Sequence, residues 1–174
     1  MTPDLTTNRS YIRPKNEMID VMRLTLHTDY ALRVLVYVGA RGGELVTISE
    51  IAESHGISKN HLTKVVHQLG RGGFLETVRG KYGGIRLLVE PQSLRLGDFI
   101  RRVEEDFTVV RCLRDQGDHQ CRIGATCLAR DAFRQGVQAF FDSLNGVTLA
   151  DMIAAELRGQ LLAVSSISRA APWA

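Results

Sequence analysis

The sequence lacks any long hydrophobic run. No window approaches the roughly 18 to 20 uninterrupted apolar residues that a membrane-spanning helix requires, and the best run, residues 31–40, is broken by Arg33. Residues 1–20 contain no apolar segment of the kind that a signal peptide needs, and no collagen-like or low-complexity repeat is present. We therefore expect a folded protein that spans no membrane and stays in the cytoplasm.

Cysteine is scarce and unevenly placed. The 174-residue chain has three cysteines, Cys112, Cys121 and Cys127, all within sixteen residues of one another. An odd number of cysteines cannot pair fully, and structural disulfides are rare in reducing compartments. Metal or redox chemistry at these thiols is therefore the question that their spacing has to address. The net charge of +3 permits a nucleic-acid partner without requiring one, so the distribution of charge must decide.

Helical patterns dominate the chain. Apolar periodicity predicts helices over residues 30–38, 48–54, 59–69, 96–105 and 128–144, with a last short helix after Thr148. Thr28 or Asp29 is the expected N-cap of the first helix, which is apolar on nearly every side and therefore buried. Thr47 and Ser58 are the expected caps of the next two helices, and a tight turn lies between those helices.

A hairpin follows the third helix. Residues 74–78 and 85–89 are rich in β-branched and apolar side chains, and a basic, glycine-rich segment connects them. Two helices joined by a tight turn and followed by a two-stranded hairpin are typical of a winged helix-turn-helix, whose second helix enters the major groove of DNA. The predicted fold class is mainly α with a small β-wing.

The positive charge is concentrated in this region. Residues 56–86 contain six Lys and Arg and a single Glu, a net charge of +5 in a chain whose total is +3. Such a patch neutralises phosphates and releases counterions, although a polar face can also be merely solvated. The candidate DNA-binding residues are Ser58, Lys59, Asn60, His61 and Lys64 on the second helix of the motif and Arg79, Lys81, Gly83 and Gly84 in the hairpin.

The cysteine spacing leaves several chemistries open. Eight residues separate Cys112 from Cys121 and five separate Cys121 from Cys127, which are longer gaps than the pairs typical of structural zinc. The thiolates could hold an iron-sulfur cluster, bind zinc, act as a thiol switch or remain unligated. A fourth ligand could come from Asp118, from His119 or from another chain.

Four segments together resemble a known family. LTLHTDYALRVLVY (residues 24–37), ISEIAESHGISKNHLTKVV (48–66), GGFLETVRGKYGGIRL (72–87) and the three-cysteine loop resemble the iron-sulfur winged-helix transcriptional repressors of the NsrR, IscR and RirA type. The ending FFDSLNGVTLADMI and the segment SKNHLTKVV are most similar to the branch of that family that senses nitric oxide. The likeness runs from Met22, which matches the family's usual start, to about Ile153.

The resemblance implies a cofactor and a partner. It implies a [4Fe-4S] cluster held by Cys112, Cys121 and Cys127, with Asp29 of the partner subunit as the fourth ligand. IscR-like members carry a histidine three residues after the third cysteine, where this chain has Arg130, and this difference argues against a [2Fe-2S] site of that type. A homodimer would bind a palindromic operator and release it when nitric oxide reaches the cluster. An iron-responsive RirA-like regulator and a zinc or thiol redox regulator are the alternatives.

The domain boundaries follow from these assignments. The apolar stripe Phe133, Val137, Phe140, Phe141 and Leu144 has no obvious helical partner in the chain and resembles the family's dimerisation helix, with packing inside the monomer as the alternative. We expect a flexible extension at 1–21, a winged-helix domain at 22–90, a linker helix and cysteine loop at 91–127, a dimerisation helix and a short helix at 128–154, and a tail at 155–174. No catalytic motif is present, and we expect no enzyme activity.

Overall fold

The computed structural model describes residues 24–104, 107, 109–110, 113, 127–157 and 159. The named elements in that part of the chain are α1 (Leu26–Ala40), α2 (Ile48–His55), α3 (Lys59–Arg71), β1 (Leu75–Val78), β2 (Gly84–Leu87), α4 (Leu96–Val103) and α5 (Leu128–Leu144). Residues 149–157 are also helical, as predicted. The structure confirms the predicted fold class, because helices surround one two-stranded antiparallel sheet. The N-terminal extension predicted at 1–21 lies outside the described residues.

The first helix begins one turn earlier than predicted. Thr25 is its N-cap, and the Thr25 hydroxyl accepts a hydrogen bond from the backbone N–H of Thr28 at 3.3 Å. Thr28 and Asp29 lie inside the first turn, so their assignment as N-caps was wrong. The physical reason is a long-range contact: the Glu104 carboxylate accepts hydrogen bonds from the backbone N–H and the hydroxyl of Thr25, at 2.6 and 3.0 Å.

The helix-turn-helix forms as the sequence predicts. The Thr47 N–H donates to the Glu50 carboxylate at 2.6 Å, and the Glu50 N–H donates to the Thr47 hydroxyl at 3.2 Å, which completes a capping box. Gly56 ends α2 in the left-handed conformation, with φ of 63°. Ser58 caps α3 by accepting from the His61 N–H at 3.3 Å. The turn between the two helices is therefore fixed by side chains at both ends.

A single apolar core holds these elements together. The inward residues of α3, which are Leu62, Val65, Val66 and Leu69, are all buried, as their spacing predicts. They pack with buried residues of α1 and α2 and with Phe74, Ile85 and Phe99. Full burial of an aliphatic or aromatic side chain contributes about 1.5–3 kcal/mol. The core therefore fixes the position of α3 relative to the rest of the fold.

The wing is a short hairpin attached to the helical core. β1 and β2 pair in the register Leu75↔Leu87 to Val78↔Gly84, so each strand is shorter than the five residues predicted. An additional bridge joins Val46, in the connection between α1 and α2, to Ile85. The Val46 N–H donates to the Ile85 carbonyl oxygen at 3.0 Å, and the Ile85 N–H donates to the Val46 carbonyl oxygen at 2.8 Å.

The last named helix divides into two unlike halves. Its bounds match the prediction, and its C-terminal half packs on α4, where Phe141 is buried and the Arg101 guanidinium carbon lies 3.7 Å from the centre of the Phe141 ring. The expectation that the apolar stripe has no partner in the chain was therefore wrong for four of its five residues, because Phe141 is buried and Val137, Phe140 and Leu144 pack against the same core. Residues 128–136, which we call the exposed half of α5, are exposed throughout. Within the described residues, no helix is long and apolar enough to cross a membrane.

Candidate nucleic-acid interface

The N-terminal end and outer side of α3 carry the helical residues predicted to bind DNA. Ser58, Lys59, Asn60, His61 and Lys64 are all exposed, because the four apolar positions of α3 face the core. An α-helix with its side chains is about 10–12 Å across, which matches the roughly 12 Å width of the major groove of B-DNA. The structure therefore leaves these five residues accessible at and near the N-terminal end of α3, and their contact with DNA stays a prediction.

The wing tip is a tight turn with few side chains. Its closing hydrogen bond runs from the Gly83 N–H to the Gly80 carbonyl oxygen at 3.0 Å, and Gly80 has φ of 118°. A Cβ at Gly83 would collide with the Val78 carbonyl oxygen, and one at Gly84 would lie 2.8 Å from the Val46 carbonyl oxygen. Glycine is therefore required at both positions for the backbone to pack this closely.

The cations of the basic region differ in whether they have an ion-pair partner. Arg86 Nε lies 2.7 Å from the Glu76 carboxylate across the hairpin, so these two opposite charges neutralise each other. Among the described residues, the remaining cations of the basic region have no ion-pair partner; they are Lys59, Lys64, Arg71, Arg79 and Lys81. Five unpaired positive charges on α3 and the wing make this surface strongly attractive to phosphates.

One aromatic residue at the wing tip was not among the predicted interface residues. Tyr82 is 85% exposed, and Lys81 Nζ lies 5.6 Å from the centre of its ring. The sequence does contain an indication, since Tyr82 is the lone aromatic residue in a segment of glycines and cations. Propensity arguments assign such a segment to a turn and give no role to the ring.

The structure describes one of the three cysteines. Cys127 occupies the N-cap position of α5, is half-buried, and makes no capping hydrogen bond with its side chain. Cys112 and Cys121 lie outside the described residues, as do the alternative ligands Asp118 and His119. Among the residues described, no three His, Cys, Asp or Glu side chains are grouped as a metal site. The Cys127 thiol is a free donor of the type that an iron-sulfur cluster requires.

The carboxylate of Asp29 is accessible from outside the monomer. Its side chain is 44% exposed, and its ion-pair partner is Arg33, with 3.1 Å between Arg33 Nε and the carboxylate oxygen. An exposed carboxylate with one exchangeable partner fits the role of a ligand contributed to a second subunit. The next residue, Tyr30, stacks on His61 with 6.4 Å between ring centres. The N-terminal part of α1 thus lies beside the first turn of α3.

A second histidine is partly enclosed at the junction of α1 and α2. His55 Nε2 is buried without a hydrogen-bond partner in the described part of the chain, and the ring packs edge-on against Tyr37. Burial lowers the pKa of His55 below 6.5, and the positive charge of Arg33 lowers it further, while Glu156 and Asp29 act in the opposite direction. His55 therefore favours the neutral form in the folded protein.

The proteins that are similar to this chain in sequence are transcriptional regulators. The family model described as Rrf2, iron-dependent transcriptional regulator, matches residues 24–155. The HTH-type transcriptional regulator NsrR of Bacillus subtilis (strain 168) is 42% identical over 133 residues, which cover 76% of this chain and 90% of that protein. The protein of the same name from Geobacillus kaustophilus is 41% identical over 133 residues, covering 76% of this chain and 90% of that protein.

Solved structures support the fold independently. The cysteine regulator CymR of B. subtilis superposes with a TM-score of 0.61 at 24% identity, covering 77% of this chain and 98% of CymR. The IscR of T. potens superposes with a TM-score of 0.58 at 23% identity, covering 80% of this chain and 91% of that chain. At these identities the likeness establishes the fold. The names of the sequence relatives confirm the prediction of a transcriptional regulator rather than an enzyme.

Proposed function

The chain belongs to the Rrf2 family of iron-dependent transcriptional regulators, and from that premise we propose that it is a cytoplasmic, homodimeric repressor whose iron-sulfur cluster senses nitric oxide. Nitrosylation would release the operators of genes for nitric-oxide detoxification. The sequence relatives named NsrR support this choice within the family. The carrying observation in the structure is the set of five unpaired cations on α3 and the wing.

DNA binding is supported by the geometry of that surface. α3 presents polar and basic side chains on one face, and the wing presents Arg79 and Lys81 beside it. In a twofold dimer, two such helices enter successive major grooves about 34–36 Å apart. A palindromic operator with half-sites one helical turn apart is the target that fits this arrangement.

Dimerisation is supported by the exposed half of α5. Leu128 is 85% exposed and Phe133 is 43% exposed on a segment in which every residue from 128 to 136 is exposed. A helix that carries large apolar side chains into solvent gains free energy when a second copy covers them. The function requires this dimer, because a palindrome needs two copies of α3.

The ligand set of the cluster is supported by two accessible donors. We assign the cluster to Cys112, Cys121 and Cys127, with Asp29 of the partner subunit as the fourth ligand and [4Fe-4S] as the cluster type. Cys127 has a free thiol and Asp29 an exposed carboxylate, so both fit a cluster between subunits. The bound cluster supplies iron that reacts with nitric oxide. Asp29, a hard oxygen donor among soft thiolates, makes the weakest bond in this set.

The chain's own residues connect that bond to DNA. Asp29 holds Arg33 when it is not a ligand, and Tyr30, the next residue, rests on His61 at the start of α3. Movement of the first turn of α1 therefore changes the support under the DNA-contacting end of α3. Tyr30 and Arg33 act as positioning residues in this proposal, because neither supplies a ligand or a base contact.

The proposal is tested on protein purified without oxygen. Visible absorption together with iron and sulfide analysis should show four of each per subunit, and fluorescence anisotropy should show operator affinity lost after nitric oxide is added. Two irons and two sulfides would replace the assigned cluster by [2Fe-2S]. A colourless, zinc-containing or metal-free protein that keeps operator affinity under nitric oxide would contradict the cluster mechanism.

The role of Asp29 has a matched control. Asp29→Ala should weaken cluster retention and change the dose of nitric oxide needed for DNA release. Glu53→Ala is the control, because Glu53 is also an exposed helical carboxylate and lies on α2, outside α1 and the exposed half of α5. Wild-type cluster retention and nitric-oxide response in Asp29→Ala dimers would show that Asp29 is not the fourth ligand.

A further inference from the structure

The turn at the wing tip carries two side chains, those of its central residues Lys81 and Tyr82. Gly80 precedes Lys81 and Tyr82, and Gly83 and Gly84 follow them, so the tip is narrow on both sides of this pair. The minor groove of B-DNA is about 6 Å wide, which admits a narrow turn and excludes a hairpin tip with bulky flanking side chains. The backbone of the tip is thus suited to a narrow groove.

The wing starts close to the end of α3, and the length of its strands sets how far the tip can reach from that helix. Gly72 and Gly73 separate α3 from the strand segment, and Phe74 N–H donates to the Leu69 carbonyl oxygen at 3.0 Å, so the hairpin starts directly at the end of α3. Four strand residues extend about 13 Å at 3.3 Å per residue. That reach is comparable to half of the roughly 34 Å helical turn that separates successive major grooves.

Tyr82 has the chemistry to use that position. Its ring is 85% exposed, and no described residue forms a hydrogen bond with its hydroxyl. The neighbouring cations Arg79 and Lys81 have no ion-pair partner in the described chain, so both are available to bind backbone phosphates. An aromatic ring next to such a cation can pack on deoxyribose while its hydroxyl faces the base edges.

We propose that Tyr82 is a specificity residue that reads A·T pairs in the minor groove flanking each half-site, and this rests on the DNA binding proposed above. In the minor groove, A·T pairs present only acceptors, at adenine N3 and thymine O2, while G·C pairs add the N2 amino donor. The Tyr82 hydroxyl donates to these acceptors. The guanine amino group places a donor between the acceptors, where it opposes the hydroxyl proton and occupies the space of the ring.

The test uses a duplex recovered from a random pool by the full-length holo-dimer. Its flanking A·T pairs are replaced either by G·C pairs or by inosine·cytosine pairs, which lack the guanine amino group and so resemble A·T in the minor groove. For the wild type we expect the G·C change to weaken binding about threefold to tenfold, the size of one missing hydrogen bond with its steric conflict, and inosine·cytosine to restore it.

Variants separate the ring from its hydroxyl. Tyr82→Phe should reduce the A·T preference, and Tyr82→Ala should abolish it, while the salt dependence of both stays that of the wild type because no cation is removed. Leu88→Ala is the matched control, since Leu88 is 61% exposed and lies after β2, away from the tip. It should keep the full preference.

The outcomes distinguish this inference from the proposed function. If duplexes are enriched but the Tyr82 variants retain the wild-type preference, the inference is overturned and DNA binding stands. If inosine·cytosine behaves like G·C, the preference arises in the major groove, and the assignment of Tyr82 is again overturned. If no duplex is enriched by the holo-dimer, both fail.

Discussion

The winged-helix region and the exposed half of α5 differ in how much of their apolar surface is buried by their own chain. From α1 to β2, every helix is capped or packed on a common core, and α3 is fixed along its whole inner face. Residues 128–136 are exposed throughout, although they include Leu128 and Phe133. The inner face of α3 is thus covered by its own chain, whereas the helix that follows Cys127 leaves large apolar side chains uncovered among the described residues.

The largest expected effect comes from removing a core side chain. Leu62→Ala should lower the free energy of unfolding by about 2–5 kcal/mol, because it leaves a cavity under α3 where Leu62 is fully buried. Leu128→Ala, at an exposed position, should change it by less than about 0.5 kcal/mol when measured on the monomer. Urea denaturation checks both values. Equal decreases in the two variants would mean that the two regions are not distinct.

The second prediction concerns association. Phe133→Asp should raise the dissociation constant of the dimer at least about tenfold, since a charge placed in an apolar interface costs well over 1.4 kcal/mol. Analytical ultracentrifugation measures the association, and circular dichroism should show an intact monomer. Gln135→Asp adds the same charge at an exposed polar position and is the control. An undisturbed Phe133→Asp dimer would place the interface elsewhere.

The third prediction uses salt to locate the DNA-binding charges. Lys64→Ala should reduce the slope of log affinity against log salt by about 0.9 for each phosphate that is no longer neutralised. Arg134→Ala removes a cation from α5 that is already paired with Asp131, and it should leave the slope unchanged. Anisotropy titrations at several salt concentrations measure the slope. A larger change for Arg134→Ala than for Lys64→Ala would move the interface from α3 to α5.

The smallest effect is a pH dependence at the edge of the winged-helix region. The pKa of His55 is lowered from 6.5 in the folded state, chiefly by burial. As pH falls through 6.5, the unfolded chain therefore takes up a proton before the folded chain does, and stability decreases. His55→Gln should flatten the fall in unfolding free energy between pH 7.5 and about 5.5. Parallel pH profiles for the two proteins would show that His55 contributes nothing.

Local patterns sufficed for much of the fold, and long-range contacts explain the differences. The caps Thr47 and Ser58 and the bounds of α5 followed from spacing, because each depends on residues within a few positions. The start of α1 did not, since Thr25 is selected as cap by Glu104, 79 residues away. Neither the Arg86–Glu76 pair nor the packing of Phe141 on α4 is visible before the strands and helices are placed.

The candidate site likewise has features that local sequence patterns predict and features that depend on the tertiary fold. The exposure of the α3 face follows from helical periodicity, so all five of its candidate residues could be identified from the sequence. The accessibility of Asp29 depends on where α1 begins, and its stacking neighbour Tyr30 meets His61 only through the tertiary fold. Sequence patterns therefore identify residue types for a site, while their contacts require the packed structure.

The bridge between Val46 and Ile85 has a consequence for the entropy of DNA recognition. An isolated two-stranded hairpin is marginally stable at best, and ordering it on a target costs about 1–2 kcal/mol for each residue that becomes fixed. Two hydrogen bonds join this hairpin to the connection between α1 and α2, so the wing is ordered before it meets DNA. Binding then loses little chain freedom in the wing, and the contact energy of its tip is retained as affinity.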